Sequence, residues 1–402
     1  MLWPGRRREG AAAGLAEQAA ACRQPPPTEY PAARPRRIDW PGSGSPVRPG
    51  AADRHRPRRR SGPGTRRQPG LVVPGRRCRL VAVFSAAVPC SVSLSHSFTP
   101  SPLVTIVALC HNHARFLAEA LDSVAAQTYP HLEVWLVDDA STDGSQQLLQ
   151  AYAARYPHWH LLLLPAGVGN CRAFNQALRR SRGEYLIDFA TDDVLLPERV
   201  ARQVAFMQAQ GPRCGIAYHD CELIDEQGRH VRFHFRRDAA GRPVHPRPAS
   251  GPVFAEVLRR YFISTPTMMV RRAVFEELQG YDETLAYEDF DLWVRAARHW
   301  DFGFQDEVLT RKRLRPRSMS TKAYRPGDPY VASTIRVCQK ALALCRDAAE
   351  RAALAVRLRW ELRQALRFGG GPEAWQLYAL LRQTGQQQPL DYALGLLARV
   401  WK

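Results

Sequence analysis

Strand and helix patterns alternate along the chain between residues 103 and 190, and this alternation limits the folds open to it. Apolar runs with the length of strands lie at Val104–Leu109, Leu132–Val137 and Tyr185–Ala190. Between them, apolar residues recur with helical spacing, as in Phe116–Val124. Such alternation predicts an α/β fold in which a mostly parallel, Rossmann-like sheet is flanked by helices.

The first hundred residues differ in composition from the rest of the chain. They contain 18 Arg, no Lys and 15 of the 31 prolines. Because this segment offers too little apolar surface to offset chain entropy, residues 1–100 are predicted to be a disordered Arg/Pro-rich extension. A basic arm for anionic lipid or nucleic acid is the alternative. The run Leu80–Leu94 is too short for a bilayer, which needs ~20 apolar residues, and would be a signal-peptide core only if translation began near Leu71.

The net charge of +19 is concentrated in this extension. Residues 1–100 carry +13 and the other 302 residues carry +6, so the predicted folded part is only mildly basic and is not expected to bind nucleic acid. The nine cysteines include no CxxC pair. This pattern argues against a zinc site or a disulfide framework and suits a reducing cytosol.

Helical spacing prevails from Tyr330 to the end of the chain. Ile335, Cys338 and Leu342 recur by threes and fours, and Gly369–Gly371 interrupts the pattern. We expect residues 326–402 to form a helical C-terminal extension that packs against the preceding domain. Contact with a second copy of the chain or with a membrane surface is the alternative.

Carboxylates directly follow two of the predicted strands. Asp138 and Asp139 come at the end of the second strand, and Asp192 and Asp193 follow the strand at Tyr185–Ala190. Ligands of open α/β sheets bind at the carboxyl ends of the strands. Two hard oxygen ligands there can hold Mg²⁺ or Mn²⁺ against a diphosphate. The alternative is that each pair caps the helix that follows it.

The order of four segments along the chain is more specific than any one of these motifs. The segments are VTIVALCHN with LDSVAAQTYPHLEVWLVDDASTDGS, then GVGNCRAFNQALRRSRGEYLIDFATDD, then GYDETLAYEDFDLWVRA, and finally RLRPRSMS. With them, residues 103–320 resemble an inverting family 2 glycosyltransferase of the GT-A fold. The resemblance implies a GT-A domain over residues 101–325, with a nucleotide-binding half at about 101–195 and an acceptor half at about 196–325.

The resemblance also implies which residues bind the nucleotide-sugar donor. Asp139, with Asp138 beside it, would accept hydrogen bonds from the donor's base, because a carboxylate only accepts and a uracil imide offers one N–H. His111 can stack on the base, although family members usually have Pro or Thr and then an aromatic residue before the Asn. For Arg172 a solvated helix charge is the alternative. The expected donor-binding residues are Leu109, His111, Asn112, Asp138, Asp139, Arg172, Asp192, Glu288 and Arg315.

The carboxylate pair at the end of the second segment, Asp192 and Asp193, matches the family's metal-binding pair. Asp193 would ligate Mn²⁺ or Mg²⁺ directly, and Asp192 would bind the donor ribose or sugar, or water on the metal. Arg315 stands where relatives commonly carry a His. Because Arg contacts phosphate bidentately but cannot complete a metal shell, we expect it to clamp the diphosphate. The alternative is a solvated charge run made of Lys312, Arg313, Arg315 and Arg317.

Glu288 and Asp289 match the family's acidic pair, and Asp289 is the expected catalytic base. A nucleoside diphosphate on a divalent cation leaves without protonation, because the metal absorbs the developing charge. One base that deprotonates the acceptor hydroxyl therefore suffices, and in-line attack inverts the anomeric carbon. The alternative is a pair of helix-start acids that stabilise the helix dipole.

Together these features predict a cytosolic, metal-dependent glycosyltransferase. It would move a sugar from a nucleoside diphosphate, expected to be UDP, to a hydroxyl of a growing glycan or lipid-linked saccharide in cell-surface polysaccharide biosynthesis. The acceptor is inferred by family analogy alone. The same hypothesis includes peripheral contact with the inner face of the membrane and self-association through the C-terminal helices.

Three rival functions are weaker. A nucleotidyltransferase would need a Gly-rich phosphate loop with a basic residue beside the first strand, and Cys110–His113 does not supply one. A basic nucleic-acid-binding protein would bind through residues 1–100. An inactive sugar-binding relative is disfavoured because Asp193 and Asp289 are both present.

Overall fold

The computed structural model describes residues 101–316 and 325–401. The predictions for residues 1–100, including the run Leu80–Leu94, lie outside the described residues, and so does Arg317 of the basic cluster.

Eleven strands and eleven helices make up the described part of the chain. The strands are β1 (Val104–Cys110), β2 (Leu132–Asp138), β3 (His160–Leu163), β4 (Tyr185–Ala190), β5 (Val194–Leu195), β6 (Cys214–Ile224), β7 (His230–Phe233), β8 (Arg236–Arg237), β9 (Pro243–His245), β10 (Met269–Arg271) and β11 (Asp301–Arg313). The helices are α1 (Ala114–Ala125), α2 (Ser145–Arg155), α3 (Asn170–Leu178), α4 (Arg199–Gln210), α5 (Phe254–Arg259), α6 (Arg272–Leu278), α7 (Asp289–Ala296), α8 (Pro329–Leu344), α9 (Ala348–Arg367), α10 (Gly371–Gln383) and α11 (Pro389–Val400). A 3₁₀ turn at Thr265–Thr267 precedes β10.

The described strands form one large mixed sheet and one small hairpin. The large sheet has the order β3-β2-β1-β4-β10-β6-β11-β5, with β7 paired to β6, and β8 pairs with β9. The pairs β1–β2, β1–β4 and β2–β3 are parallel, as the alternating pattern predicted, and the pair β6–β11 is parallel as well. The short strand β10 runs antiparallel between β4 and β6 and so joins the two halves of the sheet.

The two faces of β1 belong to two different cores. Ile106 and Ala108 contribute to the core that includes residues of α1, α2 and α4, whereas Val107 and Leu109 contribute to the core that includes α3, α6 and α7. This follows from the two-residue period of a strand. Because helices cover both faces, every residue of Val104–Cys110 is buried, which explains why the strand reads as an unbroken apolar run.

The carboxyl ends of β1, β2 and β4 meet at one edge of the sheet. Cys110 pairs with Asp138 across β1 and β2, and Leu109 pairs with Ala190 across β1 and β4. The segments that follow these three strands therefore begin side by side. This edge is where an open α/β sheet binds its ligand.

The C-terminal helices pack onto the preceding domain, as predicted. Ile335 of α8 and Leu358 of α9 share one core with Phe254 of α5 and Phe290 of α7. The helical pattern is not continuous, because α8 ends at Leu344 and α9 begins only at Ala348. At that break the Asp347 carboxylate accepts the Glu350 N–H at 2.8 Å, which caps α9.

Gly183 lies where α3 returns to the sheet and leaves no room for a side chain. A Cβ built there would lie 2.4 Å from the Thr105 Oγ1 and 2.5 Å from the Thr105 nitrogen. We predict that Gly183→Ala lowers the free energy of unfolding by about 1–3 kcal/mol, the usual cost of overpacking. Urea unfolding measures it, with Gly167→Ala as the control because a Cβ there would meet only one atom, at 3.9 Å. Equal midpoints for the two variants would contradict the prediction.

Candidate active site

Asp138, at the end of β2, is fully buried and holds a turn. Its Oδ2 accepts hydrogen bonds from the Ser141 N–H and from Gln146 Nε2, both at 2.8 Å. Its Oδ1 has no hydrogen-bond partner among the described residues. These contacts match the turn-forming alternative for Asp138 more closely than a contact with the donor's base.

Asp139 ties the end of β2 to the glycine loop that precedes α3. Its Oδ1 accepts the Val168 N–H at 2.6 Å and its Oδ2 accepts the Gly169 N–H at 2.9 Å. His111 Nδ1 lies 2.7 Å from the Asp139 carbonyl oxygen, and Asn112 Nδ2 lies 3.2 Å from His111 Nε2. Three of the predicted donor-binding residues, His111, Asn112 and Asp139, therefore lie together. Each Asp139 oxygen retains a lone pair for a ligand.

Asp192 and Asp193 are both buried just beyond the end of β4. The Arg313 N–H donates to Asp193 Oδ1 at 2.7 Å, and Arg315 Nε lies 2.7 Å from Asp192 Oδ2. Burial raises the pKa of Asp193 to about 8, with the charge of Asp192 adding to the rise and the Lys312 ammonium opposing it. A cation beside the pair would favour its ionised form.

His113 joins Arg315 to the end of β1, and it is a site residue that the sequence patterns did not reveal. Its Nδ1 lies 2.9 Å from Thr191 Oγ1, and that hydroxyl donates to the carbonyl of buried Leu109 at 3.0 Å. The hydroxyl therefore accepts from Nδ1–H, which leaves Nε2 to accept from Arg315 Nη2 at 2.9 Å. Burial lowers the pKa of His113, in keeping with this neutral tautomer.

Arg313 is a buried structural arginine and not part of a solvated charge run. Its Nε donates to the Asp192 carbonyl at 2.9 Å, and its Nη2 donates to Glu119 Oε2 at 2.6 Å. Its guanidinium also lies 4.7 Å from the centre of the Phe116 ring. These contacts fix the start of the Arg315 segment against α1.

Asp289 begins α7 with both carboxylate oxygens engaged. Thr265 Oγ1 donates to Oδ2 at 3.0 Å, and the Phe290 N–H donates to Oδ1 at 2.6 Å. Burial raises the pKa of Asp289, while these two hydrogen bonds and the Lys312 and Arg357 cations oppose the rise. Each of these four groups favours the ionised form of Asp289, against a net rise in its pKa that burial causes.

Two further carboxyl groups lie close to Asp289. Burial raises the pKa of Glu288 to about 8, with Asp289 and then Asp188 adding to the rise, and Glu288 Oε2 has no hydrogen-bond partner among the described residues. Burial raises the pKa of Asp188 to about 7, although Asp188 Oδ2 accepts the Tyr281 hydroxyl at 3.1 Å. Of the three carboxyl groups, Asp289 is the one whose pKa two cations, Lys312 and Arg357, act to lower, and this favours negative charge at Asp289.

The two acidic pairs belong to one site. The Lys312 ammonium opposes the rise in pKa of both Asp193 and Asp289, so both carboxylates lie within electrostatic range of one cation. The alternative that Asp192 and Asp193 cap the next helix is wrong, because α4 begins only at Arg199. The described residues thus place the Asp192–Asp193 pair and the Asp289 carboxylate within electrostatic range of one lysine.

Arg172 lies apart from this cluster. Its Nε is 3.8 Å from Glu283 Oε2, in a pair whose arginine side chain is 54% exposed. A surface pair of this kind contributes little to stability. The structure thus gives Arg172 the surroundings of the solvated alternative.

No cluster of three or more His, Cys, Asp or Glu side chains arranged for a metal ion occurs among residues 101–316 and 325–401. In the same described ranges, no helix combines the length and apolar character that crossing a bilayer requires.

Comparisons with known proteins identify the class to which this fold and site belong. Residues 105–279 match the family model described as glycosyl transferase family 2. RT0329 of Rickettsia typhi, an uncharacterised glycosyltransferase, is 26% identical over 241 residues, which cover 58% of this chain and 71% of RT0329. TuaG of Bacillus subtilis, named for teichuronic acid biosynthesis, is 30% identical over 127 residues, which cover 32% of this chain and 50% of TuaG.

The fold also resembles that of a solved structure. Staphylococcus aureus TarS 1–349, crystallised in complex with UDP-GlcNAc, superimposes with a TM-score of 0.55 at 19% identity, covering 74% of this chain and 88% of that one. The predicted GT-A architecture is confirmed. Residues 105–279 therefore form a glycosyltransferase family 2 domain, and the chain is a glycosyltransferase.

Proposed function

We propose that this protein is an inverting, metal-dependent transferase that moves a sugar from UDP to a hydroxyl of a glycan or lipid-linked saccharide. The single observation that carries the proposal is that the buried pair Asp192–Asp193, with Arg315 beside Asp192, and the Asp289 carboxylate both lie within electrostatic range of the Lys312 ammonium. TarS, whose crystals contain UDP-GlcNAc, supports a UDP-sugar donor. TuaG supports a role in polysaccharide biosynthesis, and a cytosolic location completes the proposal.

The donor set around Asp193 fits a divalent cation. Asp192 and Asp193 offer hard oxygens, and the raised pKa of Asp193 is an electrostatic cost that a cation would relieve. Mg²⁺ and Mn²⁺ sites commonly use one or two carboxylates and fill the other positions with phosphate and water. When bound, the ion would neutralise charge on the departing diphosphate.

The chain's own residues account for the remaining chemistry. Asp289 takes the proton of the acceptor hydroxyl as that oxygen bonds to the anomeric carbon. The bond from the anomeric carbon to the diphosphate oxygen breaks on the opposite face, which inverts the centre. Arg315, held by His113 and Asp192, lies where it can contact the leaving diphosphate, and Asp139 is available to the base.

A thermal-unfolding screen tests donor and metal together. The full chain is heated with UDP, GDP and a panel of their sugars, with Mn²⁺, with Mg²⁺, or with EDTA. We expect a UDP-sugar to raise the melting temperature only when the metal is present, because a ligand at 100 times its Kd stabilises the native state by about 2.7 kcal/mol. Equal protection in EDTA would contradict metal dependence, and protection by guanine nucleotides alone would contradict UDP.

A further inference from the structure

Arg357 of α9 is a fully buried arginine placed between two aromatic rings. Its guanidinium carbon lies 4.1 Å from the centre of the Tyr261 ring and 5.0 Å from the centre of the Phe290 ring. The side chain has no exposed surface. Phe290 directly follows Asp289, so the C-terminal extension brings a positive charge immediately behind the proposed catalytic base.

The polar contacts of Arg357 do not account for its burial. Nη1 lies 3.4 Å from Glu361 Oε1, and neither Nε nor Nη2 has a hydrogen-bond partner among the described residues. Burial raises the pKa of Glu361 to about 7, so this partner is only partly ionised near neutral pH. A buried charge is costly unless it is well paired, and apolar residues of similar volume usually stabilise a core as well or better. Packing alone therefore does not explain an arginine at this position.

Two cations lie near Asp289, and they differ in what else they face. Lys312 also lies within electrostatic range of Asp193. A diphosphate bound there would compete with Asp289 for the positive charge of Lys312. Arg357 is buried against the Tyr261 and Phe290 rings, and its charge acts to lower the pKa of Asp289. The titratable and charged groups that face Asp289 from the elements around it are Glu288, Asp188, Lys312, Tyr261, Tyr287, Arg357 and, beyond Arg357, Glu361.

We propose that Arg357 is a positioning residue for catalysis, which holds Asp289 in its charged, proton-accepting form through its place behind Phe290 and Tyr261. The C-terminal helices then supply a part of the active site and are not only a packing layer. This inference rests on the proposed role of Asp289 as the base.

The sign of the effect follows from the charge. A base works only when ionised, and a nearby cation lowers the pKa of a carboxyl group. Loss of Arg357 should therefore raise the pKa of Asp289, so that activity is lost at a higher pH as the solution is acidified. Well above that pH, Asp289 is ionised with or without Arg357, and the rate should recover.

The experiment compares Glu361→Gln with the double variant Arg357→Met, Glu361→Gln, so that no buried carboxylate is left without its partner. The kcat of the full chain is followed against pH as UDP release when the sugar is transferred to water, from which Asp289 would take the proton. UDP-GlcNAc is the first donor probe and any better donor from the thermal screen is the second. We expect the acid limb of the double variant to lie about one pH unit above that of Glu361→Gln. At pH values below the limb this shift corresponds to a tenfold lower rate, and at pH values above the limb the rate changes little.

Arg298→Met is the matched control. Arg298 also stacks on a ring, 3.7 Å from the centre of the Phe254 ring, and pairs with Glu350 of the C-terminal helices at 2.7 Å. Its loss should lower stability without moving the acid limb. Superimposable limbs for Glu361→Gln and the double variant, or an equal loss at every pH, would overturn the proposal for Arg357. If Asp289→Asn retained full activity, the base assignment itself would fail, whatever Arg357 does.

Discussion

Replacement of Asp289 by asparagine is expected to reduce sugar transfer by roughly 10²–10⁴-fold, the usual contribution of a general base. Asparagine cannot accept the proton of the acceptor hydroxyl. It can keep both local contacts, because its carbonyl oxygen accepts the Phe290 N–H and its amide can donate to the Thr265 hydroxyl. The fold and the donor site should therefore be preserved.

Two measurements on Asp289→Asn separate chemistry from binding. The turnover rate should fall, while the rise in melting temperature with UDP-sugar and Mn²⁺ should match that of the wild type. Asp306→Asn is the control for the same chemical change, because the Asp306 side chain is 49% exposed and pairs with Arg237 on the surface. A loss of donor protection as large as the loss of turnover would instead assign Asp289 to donor binding.

The sequence predicts the first half of the sheet well because the evidence there is local. β1, β2 and β4 are apolar runs buried on both faces, so composition and length identify them directly. The antiparallel insertion of β10 between β4 and β6 has no such signal. Met269–Arg271 is only three residues long, and its partners lie more than fifty residues away along the chain. Pairing of that kind depends on the tertiary structure.

The site shows the same division between local and long-range information. The acidic pairs stand out because they follow strands or begin a helix. Asp188 was missed, although a lone acid within the apolar run Tyr185–Ala190 was a usable signal. The sequence also carried a signal for Arg357 and Glu361, because these two charged residues fall on the apolar face of α9 with Leu354 and Leu358. Thr265 carries no signal, because only folding brings it to Asp289.

Replacement of Asp193 by asparagine is expected to impair donor binding as well as sugar transfer, unlike the replacement of Asp289. Transfer should again fall by at least about 100-fold, because charge stabilisation of a leaving group of this kind is worth several kcal/mol. Here, however, the metal-dependent protection by UDP-sugar should be lost as well. The local fold should survive, since the Asn carbonyl oxygen can still accept the Arg313 N–H that Asp193 Oδ1 accepts at 2.7 Å.

The pair of variants is decisive because each controls for the other. Asp193→Asn and Asp289→Asn each remove one carboxyl group from a position within electrostatic range of Lys312. A general loss of electrostatic balance would impair donor binding in both variants. If Asp193 binds the metal and Asp289 is the base, metal-dependent donor protection must disappear in Asp193→Asn and persist in Asp289→Asn. The protection is measured as melting temperature against Mn²⁺ concentration at fixed UDP-sugar. Retained protection in Asp193→Asn would remove that residue from the metal site.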